Sequence, residues 1–376
     1  MKYYGRAALS DLFGDGVIYR KLDPVDLRLP RLNELRSELS LSQNSLPRKK
    51  TSQYGEVIAH QLQLARELDL PGTHLERVIM VGDTRMNDGT AFLNICHHGE
   101  WSGAAFIGAE RRQPANVDLE TFEESVIYNA NRWQSIRDFE GFLKQQDFAV
   151  DEHTAILLDI DKTLLAARGR NDQTIDQARL GAAKITASSL MGKEFDQADF
   201  SRTYNDLNSP EFHPFTTDNQ DYLVYLCLIF SSGLFEHAEL IEDIQNKRIS
   251  SFEAFVSIVD QKKESLAKDM KTAHQHFSEC LQMGDPTPFK VFRAHEFKNT
   301  VDLMGYLDDD TPVEKLLAEE IVITHEIHEI TLEWKAQGAL VFGLSDKPDE
   351  ATLPSNELAA RGYLPVHQVQ THVVGA

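Results

Sequence analysis

Four short runs of consecutive apolar residues punctuate the chain: Val78-Ile79-Met80-Val81, Ala104 to Ile107, Ala155-Ile156-Leu157-Leu158 and Leu340-Val341-Phe342. All four read as strands, and Val78–Val81 and Ala155–Leu158 as strands buried on both faces, because a half-exposed strand would alternate apolar with polar residues. Between and around them the apolar spacing changes to that of helices. Val57, Ile58, Leu62, Ala65 and Leu68 mark one helix across residues 52–68, and Ile136, Phe139, Phe142 and Leu143 mark another. Ile323, Ile327, Ile330 and Trp334 mark a third, with Gly338 placed to end it. Residues 165–320 read as mostly helical with acidic faces, and a further strand is expected within residues 362–374. Residues 110–132 are polar and read as a linker, and residues 1–50, broken by Pro24, Pro30 and Pro47, give no clear pattern.

Strands that alternate with helices imply an α/β fold with a parallel sheet. Ligands of such sheets bind beyond the carboxyl ends of the strands. Three of the runs end in polar residues suited to chemistry: Asp83, Asp159 and Ser345.

The chain has 376 residues, 41% of them hydrophobic, enough for one large core and a second module. Its formal charge of −21 opposes binding to a phosphate backbone and points to a small ligand or a cationic partner rather than nucleic acid. The three cysteines, Cys96, Cys227 and Cys280, form neither a disulfide framework nor a CxxC metal pattern. The first residues lack the apolar core of a signal peptide, and the longest apolar stretch, residues 222–230, is too short to span a bilayer. A cytoplasmic protein without membrane partners is the expectation. HEIHE, residues 325–329, lacks the HExxH spacing of zinc proteases.

The strongest chemical signal is ILLDIDKT, residues 156–163. An apolar strand delivers Asp159, and Asp161 follows two residues later. One carboxylate can attack phosphorus, while a second can protonate the leaving oxygen and then activate water. Clustered carboxylates also attract a hard divalent cation, and magnesium suits oxygen ligands and phosphate substrates. DxDxT at the end of an apolar strand resembles the first motif of the haloacid dehalogenase (HAD) superfamily. VIMVGDTRMND, residues 78–88, resembles that family's acidic motif, with Asp83 and Asp88 in the metal-binding positions. Ser345 in ALVFGLSDKP resembles its phosphate-binding serine, and Lys49 or Lys50 its lysine, Lys50 being favoured as the nearer to the following helix.

The resemblance implies a Rossmann-like core with a mostly helical cap and magnesium-dependent phosphatase activity on a small phosphorylated metabolite. Asp159 would be the nucleophile and Asp161 the general acid and base. Thr163, Ser345 and Lys50 or Lys49 would bind phosphate. Asp159, Asp83 and Asp161, the last through its backbone carbonyl, would hold magnesium with support from Asp88. Arg168 and Arg170, just after the nucleophile, would either grip the substrate or form ion pairs, for example with Asp172 or Asp176.

The motif order departs from the family, since lysine and acidic pair precede the nucleophile and serine. A circular permutation would give this order. The expected division is then 1–110 for the first part of the core, 111–150 for a linker and helix, 151–164 for the nucleophile strand, 165–320 for the cap and 321–376 for the rest of the core. The Val78–Val81 strand should lie beside Ile156–Leu158, with Leu340–Phe342 on the other side. Ala104–Ile107 should lie outside the former and the C-terminal strand outside the latter. A non-catalytic binding protein on the same fold, and a phosphotransferase or phosphomutase, are the alternative functions.

Overall fold

A computed structural model describes residues 1–42, 46–217 and 219–376. Among these described residues the strands are β1 (Lys2–Ala7), β2 (Val17–Ile18), β3 (Arg77–Gly82), β4 (Ser102–Gly108), β5 (Val117–Thr121), β6 (Ser125–Ala130), β7 (Thr154–Asp159), β8 (Ile323–Thr324), β9 (Leu340–Leu344) and β10 (Thr371–Gly375). Seven of them form one sheet in the order β2-β9-β7-β3-β4-β6-β5. Every neighbour pair in it is parallel except the β5/β6 hairpin. The protein is therefore α/β.

The centre of the sheet follows from the apolar runs. β3, β4, β7 and β9 are almost wholly buried, because helices cover both of their faces. One face packs against the helices Leu32–Glu38, Ser52–Asp69 and Thr90–Gly99 through Leu35, Val57, Leu62, Phe92 and Ile95. Aromatic residues gather around β4 and β6, where Phe106 and Tyr128 lie near Phe139 of the helix Ile136–Gln145. β3 pairs with β7 from Arg77–Thr154 to Val81–Leu158, and β7 with β9 from Ala155–Leu340 to Asp159–Leu344. These registers bring the ends of the three strands to one edge of the sheet.

Two expectations are overturned. Residues 110–132 are no linker, since they contain β5 and β6, which extend the sheet past β4. β5 is an exposed edge strand of five residues, too short for its alternation of Val117 and Leu119 with Asp118 and Glu120 to stand out from the polar residues around it. The C-terminal strand β10 does not lie outside β9. It pairs with β1 and β8 in a separate three-stranded sheet, and the short β2 takes the place beside β9.

The chain divides into two compact units: residues Met1–Asp176, Thr300–Leu353 and Arg361–Ala376 form the first, and Gln177–Asn299 with Pro354–Ala360 the second. Among its described residues the second unit is helical, and stacked and edge-on rings of Tyr225, Phe252, Phe277 and Phe289 fill its interior. The apolar stretch 222–230 lies in the helix Gln220–Ser231, which this interior surrounds. Arg293 is buried there with Asp221 and Glu296 as its ion-pair partners. Among the described residues, no helix is long and apolar enough to cross a membrane.

Candidate active site at the carboxyl edge of the sheet

Asp159 is the last residue of β7, and Asp83 directly follows β3. Asp88 reaches the same place by another route. After Asp83 the chain enters a π-helical turn, Arg85–Gly89, which folds the Asp88 side chain back onto the strand end. The return is possible because residue 82 is glycine: a Cβ there would lie 2.5 Å from the Asp88 Cβ. Asp88 Oδ2 then accepts hydrogen bonds from the backbone N–H groups of Asp83 (3.2 Å) and Thr84 (3.0 Å) and from the Thr84 hydroxyl (2.9 Å). One carboxylate oxygen from each of Asp83, Asp88 and Asp159 falls within 4.8 Å of the others.

Lys49 lies between two of these acids. Its Nζ donates to Asp159 Oδ1 at 2.5 Å and to Asp88 Oδ1 at 2.9 Å, and the residue is 3% exposed. Lys50, the residue favoured from sequence, is exposed instead. The reason is local. The chain turns before the helix, with the Thr51 N–H bonded to the Arg48 carbonyl at 2.7 Å, so adjacent side chains diverge and only Lys49 points inward. Thr51 then caps the helix Ser52–Asp69 by accepting from the Tyr54 N–H.

Burial and Asp88's negative charge push the Asp159 carboxyl well above the usual range, against the pull of Lys49. Burial and Asp88 likewise push Asp83 up to about 7, with Arg168 and Lys49 acting the other way. Burial also works on Asp88, but Lys49's charge and the hydrogen bonds from Lys49 and Thr84 outweigh it and hold Asp88 low. Burial works against the charge of Lys49, yet Asp159 and Asp88 raise its pKa well above the ordinary value. Three carboxylates thus face two cations, Lys49 and Arg168, in a poorly solvated space. An all-oxygen donor set short of positive charge is suited to a hard metal ion.

The remaining predicted residues separate into those that reach the site and those that do not. The Thr163 hydroxyl donates to Asp159 Oδ2 at 2.9 Å, so it steadies the carboxylate. Ser345, just past β9, donates to Asp161 Oδ2 at 2.6 Å. The Asp161 side chain faces Ser345 and stands outside the three-carboxylate cluster. Arg168 places Nε 2.5 Å from Asp83 Oδ2.

Arg170 is committed elsewhere. Its guanidinium bonds both oxygens of Glu326, at 2.8 and 2.9 Å, and reaches Glu110 at 3.1 Å. Neither Asp172 nor Asp176 is its partner: the former accepts from the Gly169 N–H and the latter from Lys162. Because the side chains of Arg170 and Glu326 are both buried, Arg170→Met leaves an uncompensated carboxylate and is expected to cost about 3–5 kcal/mol of stability. Denaturant unfolding measures that loss, and an unchanged midpoint would refute it.

The sequence reading missed Lys347. Its Nζ bonds the Thr300 hydroxyl at 3.1 Å and lies 4.0 Å from Asp161 Oδ1, while its N–H donates to Ser345 Oγ at 3.0 Å. The available signal was a basic residue two positions after the serine, on the same strand-end loop. The loop after Asp159 is also tightly bent, with Lys162 at φ 62° and Ala166 at φ 54°. Such left-handed conformations in residues with side chains persist only where their surroundings enforce them. Here the Thr324 hydroxyl donates to the Thr163 carbonyl at 2.6 Å, and the Ala166 N–H to that of Val322 at 2.9 Å.

No family model, curated protein or solved structure matches this chain.

Proposed function

We propose that the protein is a magnesium-dependent phosphohydrolase of the HAD type that acts on a small phosphomonoester. The observation that carries this reading is the convergence of Asp159, Asp83, Asp88 and Lys49 at one carboxyl edge, with Asp161 and Ser345 joined beside it. Segments distant in sequence supply these groups, and burial keeps them together at an electrostatic cost that an ordinary structural edge has no reason to bear.

In this reading a carboxylate oxygen of Asp159 attacks phosphorus, and the bond from phosphorus to the leaving oxygen breaks. Asp161 gives its proton to that oxygen. The resulting Asp161 carboxylate then removes a proton from water, which attacks the phosphoryl group and returns Asp159 to its starting form. Lys49 balances the charge on Asp159. The Ser345 hydroxyl, now on Asp161, turns to a phosphoryl oxygen when substrate is present. Asp83, Asp88 and Asp159 would hold magnesium, which would supply charge neutralisation for the phosphate.

The testing experiment is a screen of phosphate esters with and without magnesium. Turnover should disappear after exhaustive chelation and return with the metal; full activity in the chelated protein contradicts the reading. Asp161→Asn should slow turnover roughly 10²–10⁴-fold, the usual contribution of general acid–base help. A loss confined to KM in that variant would remove Asp161 from proton transfer.

A further inference from the structure

Beside the acidic cluster, on the same carboxyl edge, lies a cavity of about 660 Å³. Asp83 belongs to both. From Asp83 the cavity extends over the ends of β4 and β6, and its outer wall is the loop of residues 109–116. The volume falls within the range of small-molecule sites.

The wall is firmly built although it is a loop. Asn131 Nδ2 donates to the Pro114 carbonyl at 2.7 Å, and the Asn116 N–H donates to Asn131 Oδ1 at 2.8 Å. Arg132 donates to the carbonyls of Arg111 and Gln113. The wall is also tied to the loop after the nucleophile, since the Glu110 N–H donates to the Arg168 carbonyl at 2.8 Å. Gly169 makes that approach possible: a Cβ there would stand 2.0 Å from the Glu110 carbonyl oxygen.

Arg111, Gln113, Asn116 and Asp118 line the cavity, and their side chains make no hydrogen bond or ion pair with other described residues. Two amides, a guanidinium and a carboxylate present donors and acceptors side by side. Hydroxyl groups, which both give and accept hydrogen bonds, match such a lining. Among the described residues no aromatic ring lines the cavity, so they offer no stacking platform for a nucleobase.

The geometry points to this cavity as the subsite for the organic part of the substrate, and to a hydroxyl-rich phosphate ester, a sugar or polyol phosphate, as the substrate class. This inference rests on the phosphohydrolase reading. The phosphate sits at Asp159 and the carbon chain runs past Asp83 over β4 and β6. Specificity is then set in part by the sheet's own edge.

The test compares wild type with Ala115→Trp, which fills the cavity from an exposed wall position and removes no polar group. The probes are a pentose 5-phosphate, a hexose 6-phosphate, a nucleoside monophosphate and acetyl phosphate, the last too short to reach the cavity. For the sugar phosphates the variant should raise KM about tenfold or more, as expected when one or two hydrogen bonds are lost. Acetyl phosphate should be hydrolysed at an unaltered kcat/KM. Equal sugar phosphate kinetics in both proteins would overturn the subsite, and a wild-type preference for the nucleotide would overturn the substrate class. If wild type hydrolyses none of the probes, the phosphohydrolase reading fails separately. Calorimetric titration with the sugar phosphates then decides the subsite: binding lost in Ala115→Trp supports it, and absent or unaltered binding overturns it.

Discussion

Asp159→Asn is expected to lower kcat by at least about 10⁴-fold and to leave the protein folded. An amide is a poor nucleophile toward phosphorus, and loss of a covalent catalyst is among the most severe single changes an active site can suffer. The substitution nearly preserves shape, and Thr163 keeps a hydrogen-bond acceptor. It also removes one of three crowded carboxylates. Burial and Asp88 already raise the Asp159 pKa strongly, so its charge is held at a cost to the fold. The melting temperature of the metal-free variant should therefore not fall, as happens where residues needed for function oppose stability. Steady-state kinetics and a thermal melt on the same preparation check both halves. Turnover at the wild-type rate in Asp159→Asn would sink the mechanism.

Lys49→Met is the second large effect, and it should strike stability and activity together. Removing the buried cation leaves Asp88 and Asp159 facing each other without their shared partner. Breaking a buried pair in this way costs about 3–5 kcal/mol. Saturating magnesium should recover part of that loss, because a ligand that binds only the folded state stabilises it. Activity with magnesium present should still fall roughly 10²–10³-fold, the scale seen when one preorganised electrostatic partner is removed. Lys50→Met is the control. Its side chain is exposed, and its stability should remain within about 0.5 kcal/mol of wild type. If the Lys50 variant is the damaged one, the assignment of Lys49 is wrong.

The contrast between these lysines shows where sequence reading stops. Apolar runs mark β3, β4, β7 and β9 because burial on both faces forbids polar residues there. Strand-end position then picks out Asp83, Asp159 and Ser345 without knowledge of the fold. Asp88 is legible too, as part of a short spacing after the strand. Lys49 and Lys50 differ only in how a turn directs their side chains, and spacing carries no trace of that. Lys347 gains its place through Thr300 and Asp161, contacts that only tertiary structure creates. Arg170 shows the same limit from the other side: closeness to Asp159 in sequence left a substrate role and an ion pair both open, and only the fold shows that Glu326 takes its guanidinium.

Strand legibility fails in a similar way. β2 has two residues and leaves no periodicity to detect. β5 and β6 pair with each other and extend an edge, so their exposed positions dilute the pattern. For β10 a strand is legible but its partner is not, because alternation reports burial and says nothing of neighbours.

The pairing of β2 with β9 also shapes how the molecule comes into being on the ribosome. Val17 meets Gly343 and Ile18 meets Leu344, so β2 waits for its partner until synthesis has passed residue 344. At about 5–20 residues per second the wait lasts on the order of half a minute. β7 in turn must leave one side open until β9 emerges, and Ser345 arrives with that strand. Until then the nascent chain holds Asp83, Asp88, Asp159 and Lys49 but lacks the strand that closes the sheet. The order of synthesis therefore makes the serine side of the site its last piece, and a nascent chain stalled before residue 340 carries an unpaired flank on β7.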